Sequence, residues 1–205
     1  MRFMRGLVGL APVLIVAVCQ QSVSQTKAPA KAPAQTAPAQ TTPARGAAQS
    51  PVERGKYLVT MAGCHDCHTP KTPAGEPDMK RQFAGHPANE KLAAVPAGLI
   101  APDKWGAVTN NNLTAWVGGW GVSFAPNLTP DKATGLGTWT ADMFVKALRT
   151  GKHRGDGRAI LPPMPWPMYK DMTEADLRAM FAYLQSIPPI SNMAPLPLPP
   201  DKIPR

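Results

Sequence analysis

The amino-acid sequence predicts an all-α fold. Three stretches place apolar side chains at helical spacing behind capping residues, the segments between them are rich in proline and glycine, and no βαβ pattern is visible. The first helix ends directly on Cys64-His65-Asp66-Cys67-His68, and a long, mostly irregular insertion over residues 69–125 follows this motif. Both ends of the 205-residue chain are low in complexity, which leaves room for one domain, residues 51–192.

Arg2 and Arg5 precede an apolar run from Leu7 to Val18. This is the charged start and short apolar core of a secretory signal peptide, residues 1–24, with Ser22 and Ser24 suiting cleavage after Ser24. An uncleaved N-terminal anchor, and so a membrane tether, is the alternative, although the run falls short of the roughly 20 residues of a comfortable span. Cys19 leaves with the signal, and Val18 is too bulky for the small-residue box that precedes a lipid-modified cysteine. Residues 25–50 are mostly Ala, Pro, Gln, Thr and Lys. With almost no large apolar side chain, this stretch cannot offset the entropy of ordering and reads as a disordered, partly polyproline linker.

The domain opens at Pro51, with Ser50 as N-cap and Glu53 near the positive helix end. The helix runs to about Ala62 before Gly63, and Tyr57, Leu58 and Met61 are expected on its buried face. Within the insertion, Phe83, Leu92, Leu99, Trp105, Trp116, Trp120 and Phe124 are the expected anchors, in loops with short strands or 3₁₀ turns at most. Asn127 to Gly137 is dense in turn residues, and its oxygen-bearing side chains suit a hydrogen-bonded turn or, without EF-hand spacing, a calcium site. Thr140 caps a second helix with Phe144, Val145 and Leu148 inward, closed by Gly151. Thr173 opens a third, with Leu177, Met180, Phe181 and Leu184 on one face and Pro188 beyond its end. The Pro-rich tail 193–205 is expected to lie on the surface or fray.

Two stretches carry chemistry. C-x-x-C-H is the attachment sequence of a c-type haem: Cys64 and Cys67 each form a thioether with a vinyl group, and His68 reaches the iron as proximal ligand. A thioredoxin-like pair would need a βαβ setting, and a structural zinc site would need two further ligands, neither of which the sequence supplies. The second stretch, Ala159 to Met168, surrounds Met164 with prolines that fix backbone angles and remove donors, a stiff strap able to present one thioether to a metal. Met164 is the candidate sixth ligand, with Met168 and Met172 as rivals and core filling as the alternative for any of them. His65 has no ligand role, and His86 and His153 read as surface histidines.

The order helix, C-x-x-C-H, methionine strap, amphipathic helix resembles a class I cytochrome c from Pro51 to Asn192. Gly55-Lys56-Tyr57-Leu58, Ala62-Gly63-Cys64, Asn127-Leu128-Thr129-Pro130-Asp131, Arg149-Thr150-Gly151-Lys152-His153, Pro163-Met164-Pro165-Trp166 and Ala182-Tyr183-Leu184 look like haem domains of bacterial cytochrome subunits serving alcohol, aldehyde and gluconate dehydrogenases. The resemblance implies a class I cytochrome c fold, one covalently bound haem c, axial ligands His68 and Met164, and first and last helices packed across each other. Those subunits resemble three such domains in series, whereas this chain has one C-x-x-C-H. The resemblance also implies export, since bacteria attach haem covalently outside the inner membrane, and the thioethers then consume both remaining cysteines, so no disulfide is expected.

The formal charge is +9. Dispersed positive charge without a binding motif disfavours nucleic acid and suits an acidic docking face. The expected activity is therefore not enzymatic. A periplasmic carrier would pass single electrons between a dehydrogenase or quinol-linked complex and a terminal oxidase or another cytochrome. The alternative is a haem enzyme or a peroxide or gas sensor, should the sixth ligand be displaceable.

Overall fold

A computed structural model describes residues 49–205; the expected signal peptide and nearly all of the expected linker lie outside the described residues. Helix α1 (Pro51–Met61) starts on a reciprocal capping box, in which Ser50 Oγ accepts from the Glu53 amide and the Glu53 carboxylate accepts from the Ser50 amide. Gly63, at φ +66°, turns the chain into the short helix α2 (Cys64–His68). Helix α3 (Ala141–Thr150) is capped by Thr140 and ends on Gly151 in the left-handed region. A four-residue helix, α4 (Trp166–Tyr169), leads to α5 (Glu174–Ser186), which Thr173 caps.

The main core lies where α1 crosses α5 and α3 closes the side. Leu58 and Val59 meet Leu177, Met180, Tyr183 and Leu184, and Phe144 and Phe181 stack with ring centroids 5.5 Å apart. The crossing is close because Gly55 has no side chain: a Cβ there would strike the Ala179 carbonyl and crowd Tyr183. Arg54 spans the same crossing with an ion pair to Asp176 at 2.9 Å. This geometry shifts the buried face of α1 onto Gly55, Leu58 and Val59. Tyr57 and Met61, expected inside, are 52% and 68% exposed, and the Arg54 guanidinium instead lies 5.7 Å from the centre of the Tyr57 ring.

The all-α expectation is overturned by the insertion. Residues Ala107–Thr109 (β1), Ala115–Gly118 (β2) and Gly121–Phe124 (β3) form an antiparallel sheet in the order β1-β2-β3. Gly118 pairs with Gly121, so Gly119 and Trp120 are a two-residue hairpin turn, and Gly121 takes φ +100°. The Val117–Val122 pair faces a second apolar cluster with Ile203, while the Trp116–Ser123 pair faces a large cavity. A sheet covered on both faces shows no apolar–polar alternation, which explains why the sequence does not announce it.

The tail does not fray. Leu198 exchanges both backbone hydrogen bonds with Val122, at 2.8 and 3.0 Å, and Ile203 is buried. Asn192 ties the chain beyond α5 to the insertion, donating to the carbonyls of Ala84 and His86 and accepting from the Ala88 amide. Phe83 is an anchor as expected, wholly buried and edge-on to Tyr183, but Trp105 is 63% exposed. His86 is not a surface histidine. It is fully buried against Phe124, Nδ1 lies 2.9 Å from the Thr114 hydroxyl, and Nε2 has no hydrogen-bond partner among the described residues.

Gly55→Ala should lower stability by about 2 kcal/mol or more, since a backbone carbonyl in a tight crossing cannot move aside cheaply; chemical denaturation measures this. Burial holds the His86 pKa below its ordinary 6.5, opposed in part by Glu90. The unfolded chain therefore binds this proton more readily, so the stability that a neutral ring allows is present above about pH 6.5 and lost as the pH falls below it. Denaturation midpoints should fall between pH 7 and 5 in the wild-type chain, and His86→Phe should flatten that slope.

Candidate functional site

Helix α2 turns Cys64, Cys67 and His68 onto the wall of one cavity of about 480 Å³. That is a volume typical of cofactor sites. Leu136, Trp139, Phe144 and Leu148 make much of the remaining wall apolar, and Met164 reaches the same space from the strap. The structure thus brings together all four residues singled out from the sequence.

His68 is 6% exposed, and its Nδ1 lies 2.8 Å from the Pro126 carbonyl oxygen. A carbonyl only accepts, so Nδ1 carries the hydrogen and donates it. Burial lowers the pKa of this imidazole, keeping it neutral, which leaves Nε2 as a bare lone pair. Burial also pushes the Cys64 thiol up to about 12 and raises Cys67. These are protonated thiols in an apolar wall, unlike the low-pKa thiolates of redox or metal-binding pairs. Among the described residues no cluster of three or more His, Cys, Asp or Glu side chains could hold a metal ion.

The strap is fastened on both sides of Met164. The Ile160 amide donates to the Gly151 carbonyl at 2.7 Å, and the Ser123 hydroxyl donates to the Pro162 carbonyl. Trp166 covers Gly151 so closely that a Cβ there would enter the indole. The Tyr169 hydroxyl donates to the Ala62 carbonyl at 2.6 Å, beside Cys64. Met168 is 76% exposed, and Met172 packs against the main core without lining the cavity. His153 is half-buried, edge-on to Trp139 and on the cavity wall, so it too departs from a plain surface position.

The turn after the insertion is hydrogen-bonded. Asp131 Oδ1 accepts from the Thr134 hydroxyl and amide and from the Ala133 amide, at 2.6, 2.8 and 3.2 Å, which accounts for the oxygen-rich sequence without calcium. Asn127, 2% exposed, accepts from the Thr129 amide and hydroxyl and donates to the Ile190 carbonyl and the Thr134 hydroxyl. It fixes the backbone immediately after Pro126. The sequence reading singled out neither Ser123 nor Trp139 as a site residue. Trp139 was legible only as an aromatic before a helix, and nothing marked Ser123, whose partner is a backbone carbonyl 39 positions away.

Two thiols, one imidazole with a free Nε2 and one thioether around an apolar space are the donor set of a covalently held haem, and the residues present fit that group. Helices bearing such a set define a haem-binding electron-transfer domain. The chain belongs to the cytochrome c family, whose model matches residues 52–188. It is 30% identical over 144 residues to one of the subunits of the nicotinate dehydrogenase of Pseudomonas putida, covering 70% of this chain and 9% of that protein. It is 30% identical to the gluconate 2-dehydrogenase cytochrome c subunit of Pantoea cypripedii over 69% of this chain and 24% of that subunit. It is 29% identical to the alcohol dehydrogenase (quinone) cytochrome c subunit of Gluconobacter oxydans over 74% of this chain and 25% of that subunit. The chain therefore spans a quarter or less of these relatives' length.

Asn127→Ala would leave the Thr129 amide without a partner in the interior and the Ile190 carbonyl with only the Thr129 hydroxyl at 3.3 Å. It should cost about 2 kcal/mol or more, read as a drop in denaturation midpoint with the helical signal of the folded state retained.

Proposed function

We propose that this protein is an exported, single-haem electron carrier in which Cys64 and Cys67 hold the porphyrin and His68 and Met164 are the axial ligands. The observation that carries the reading is the convergence of these four side chains on one apolar cavity, with His68 Nδ1 committed to the Pro126 carbonyl. The haem would supply one-electron chemistry between ferric and ferrous iron, at a potential raised by a thioether opposite imidazole. His68 is held in a fixed ring orientation and tautomer by Pro126. The strap holds Met164 at the cavity through backbone and side-chain bonds on both sides of it. The wall is largely apolar, which lowers the local dielectric around the site.

The dehydrogenase subunits among the relatives support a redox protein as donor, and the covalent attachment chemistry together with the N-terminal apolar run supports export. A dehydrogenase or quinol-linked complex would reduce the carrier, and a terminal oxidase or another cytochrome would reoxidise it. The excess of basic residues suits an acidic partner face and makes the exchange salt-sensitive. No helix among the described residues is long and apolar enough to cross a membrane. A tether would therefore reside in the N-terminal residues.

The exported protein should carry the mass of one haem above the polypeptide. Its ferric form should show the weak sulfur-to-iron charge-transfer band at the red end of the visible spectrum. Met164→Ala should abolish that band and lower the midpoint potential by a sizeable fraction of the roughly 0.8 V that axial ligands span, whereas Met168→Ala should keep both. A wild-type protein without the band that takes up carbon monoxide readily when ferrous would refute the ligand assignment and favour an open-site enzyme or sensor.

A further inference from the structure

The Trp-rich insertion has no place in the minimal helical pattern, yet its sheet touches the strap. Ser123 is 8% exposed on β3, and its hydroxyl donates to the carbonyl of Pro162, two residues before Met164. Trp120 Nε1 donates to the same hydroxyl oxygen at 3.3 Å, which occupies its acceptor side and leaves its single hydrogen for Pro162. The Trp116 carbonyl, at 3.5 Å, is the weaker alternative acceptor. Beside Ser123, its cross-strand partner Trp116 reaches the cavity wall that Cys67 also lines, with its indole nitrogen donating to the Leu113 carbonyl at 2.8 Å.

From these contacts we infer that the insertion is a clamp on the sixth-ligand strap, with Ser123 as its positioning residue. The inference rests on the assignment of Met164 as axial ligand. Prolines stiffen the strap but supply no donors of their own, so donors that tie its carbonyls to the rest of the fold come from elsewhere. Ser123 supplies one of them from an element that is anchored independently. The sheet's other face is packed under Ile203, and the tail strand pairs with Val122. Moving the strap so that Met164 withdraws from the cavity would break the Ser123–Pro162 bond. The sheet therefore keeps the sixth position closed to small ligands and the iron confined to electron transfer.

The test uses the full-length exported holoprotein and reads the ferric charge-transfer band and the rate of carbon monoxide uptake by the ferrous form. Ser123→Ala should weaken the band and speed uptake about tenfold, the equivalent of one hydrogen bond. Ser123→Thr, which keeps the hydroxyl, should restore both. Ser123→Val against Ser123→Thr repeats the comparison at constant size, in case the alanine variant fails to accumulate. An unchanged band and an uptake rate within about twofold of wild type in Ser123→Ala, or equal behaviour of Ser123→Val and Ser123→Thr, would overturn the clamp. A wild-type protein lacking the band removes the ligand assignment first and the clamp with it, whereas failure confined to the Ser123 variants leaves that assignment standing.

Discussion

The structure depends on one hydrogen bond, from His68 Nδ1 to the Pro126 carbonyl. It spans 58 positions and closes the insertion on itself: the chain leaves the helical core after His68 and returns to it at Pro126. The His68 carbonyl meanwhile accepts from the Gly85 amide, so the same residue is held by both ends of its ring-and-backbone unit. A metal-ligating imidazole needs its second nitrogen occupied, and a long insertion needs a fixed exit. In the proposed carrier one bond would meet both requirements. Asn127 and the Thr129–Ile190 contacts then make Pro126 a rigid acceptor rather than a loop carbonyl free to turn away.

Among the described residues there are accordingly two apolar clusters, and residues of the helices and of the sheet both line the cavity. The helical cluster around Leu177 and Met180 is built by the α1–α5 crossing, and the smaller one around Val122 and Ile203 by the insertion and the tail. Trp116 and Ser123 belong to the sheet but line the cavity, so the insertion forms part of the site wall. This division explains why the tail is ordered. Leu198 along β3 and Ile203 beneath it join Leu92, Val95 and Ile100 of the insertion in covering the outer face of a sheet of three- and four-residue strands.

What could be read from the sequence was local. The caps at Ser50, Thr140 and Thr173 bond to amides three positions away, and the C-x-x-C-H spacing is a property of five consecutive residues. Helical period was legible for α1, but its phase was not. Gly55 sets the phase through contact with Ala179, a neighbour 124 positions distant that periodicity cannot see, and so Tyr57 and Met61 were misplaced. The hairpin was hidden because both its faces are covered and its turn reads as one more glycine-rich loop. His86 was placed at the surface because nothing in its own neighbourhood names Thr114 or Phe124 as its surroundings.

The same distinction bears on how a one-electron site differs from a reactive one. An iron that only exchanges electrons works best when its ligands hold nearly the same positions in both oxidation states, and one that binds small molecules needs a ligand able to leave. Met164 sits in a segment bounded by bonds to three different elements: Ile160 to the end of α3, Pro162 to β3, and Tyr169 to the end of α1. Each tie is modest by itself, of order 1 kcal/mol. Together they mean that moving the strap disturbs three parts of the fold at once, a cost no single long loop would impose. The proline-rich composition makes the strap stiff, and the attachments keep it at the cavity. Only the first of these properties is written in the residues around Met164.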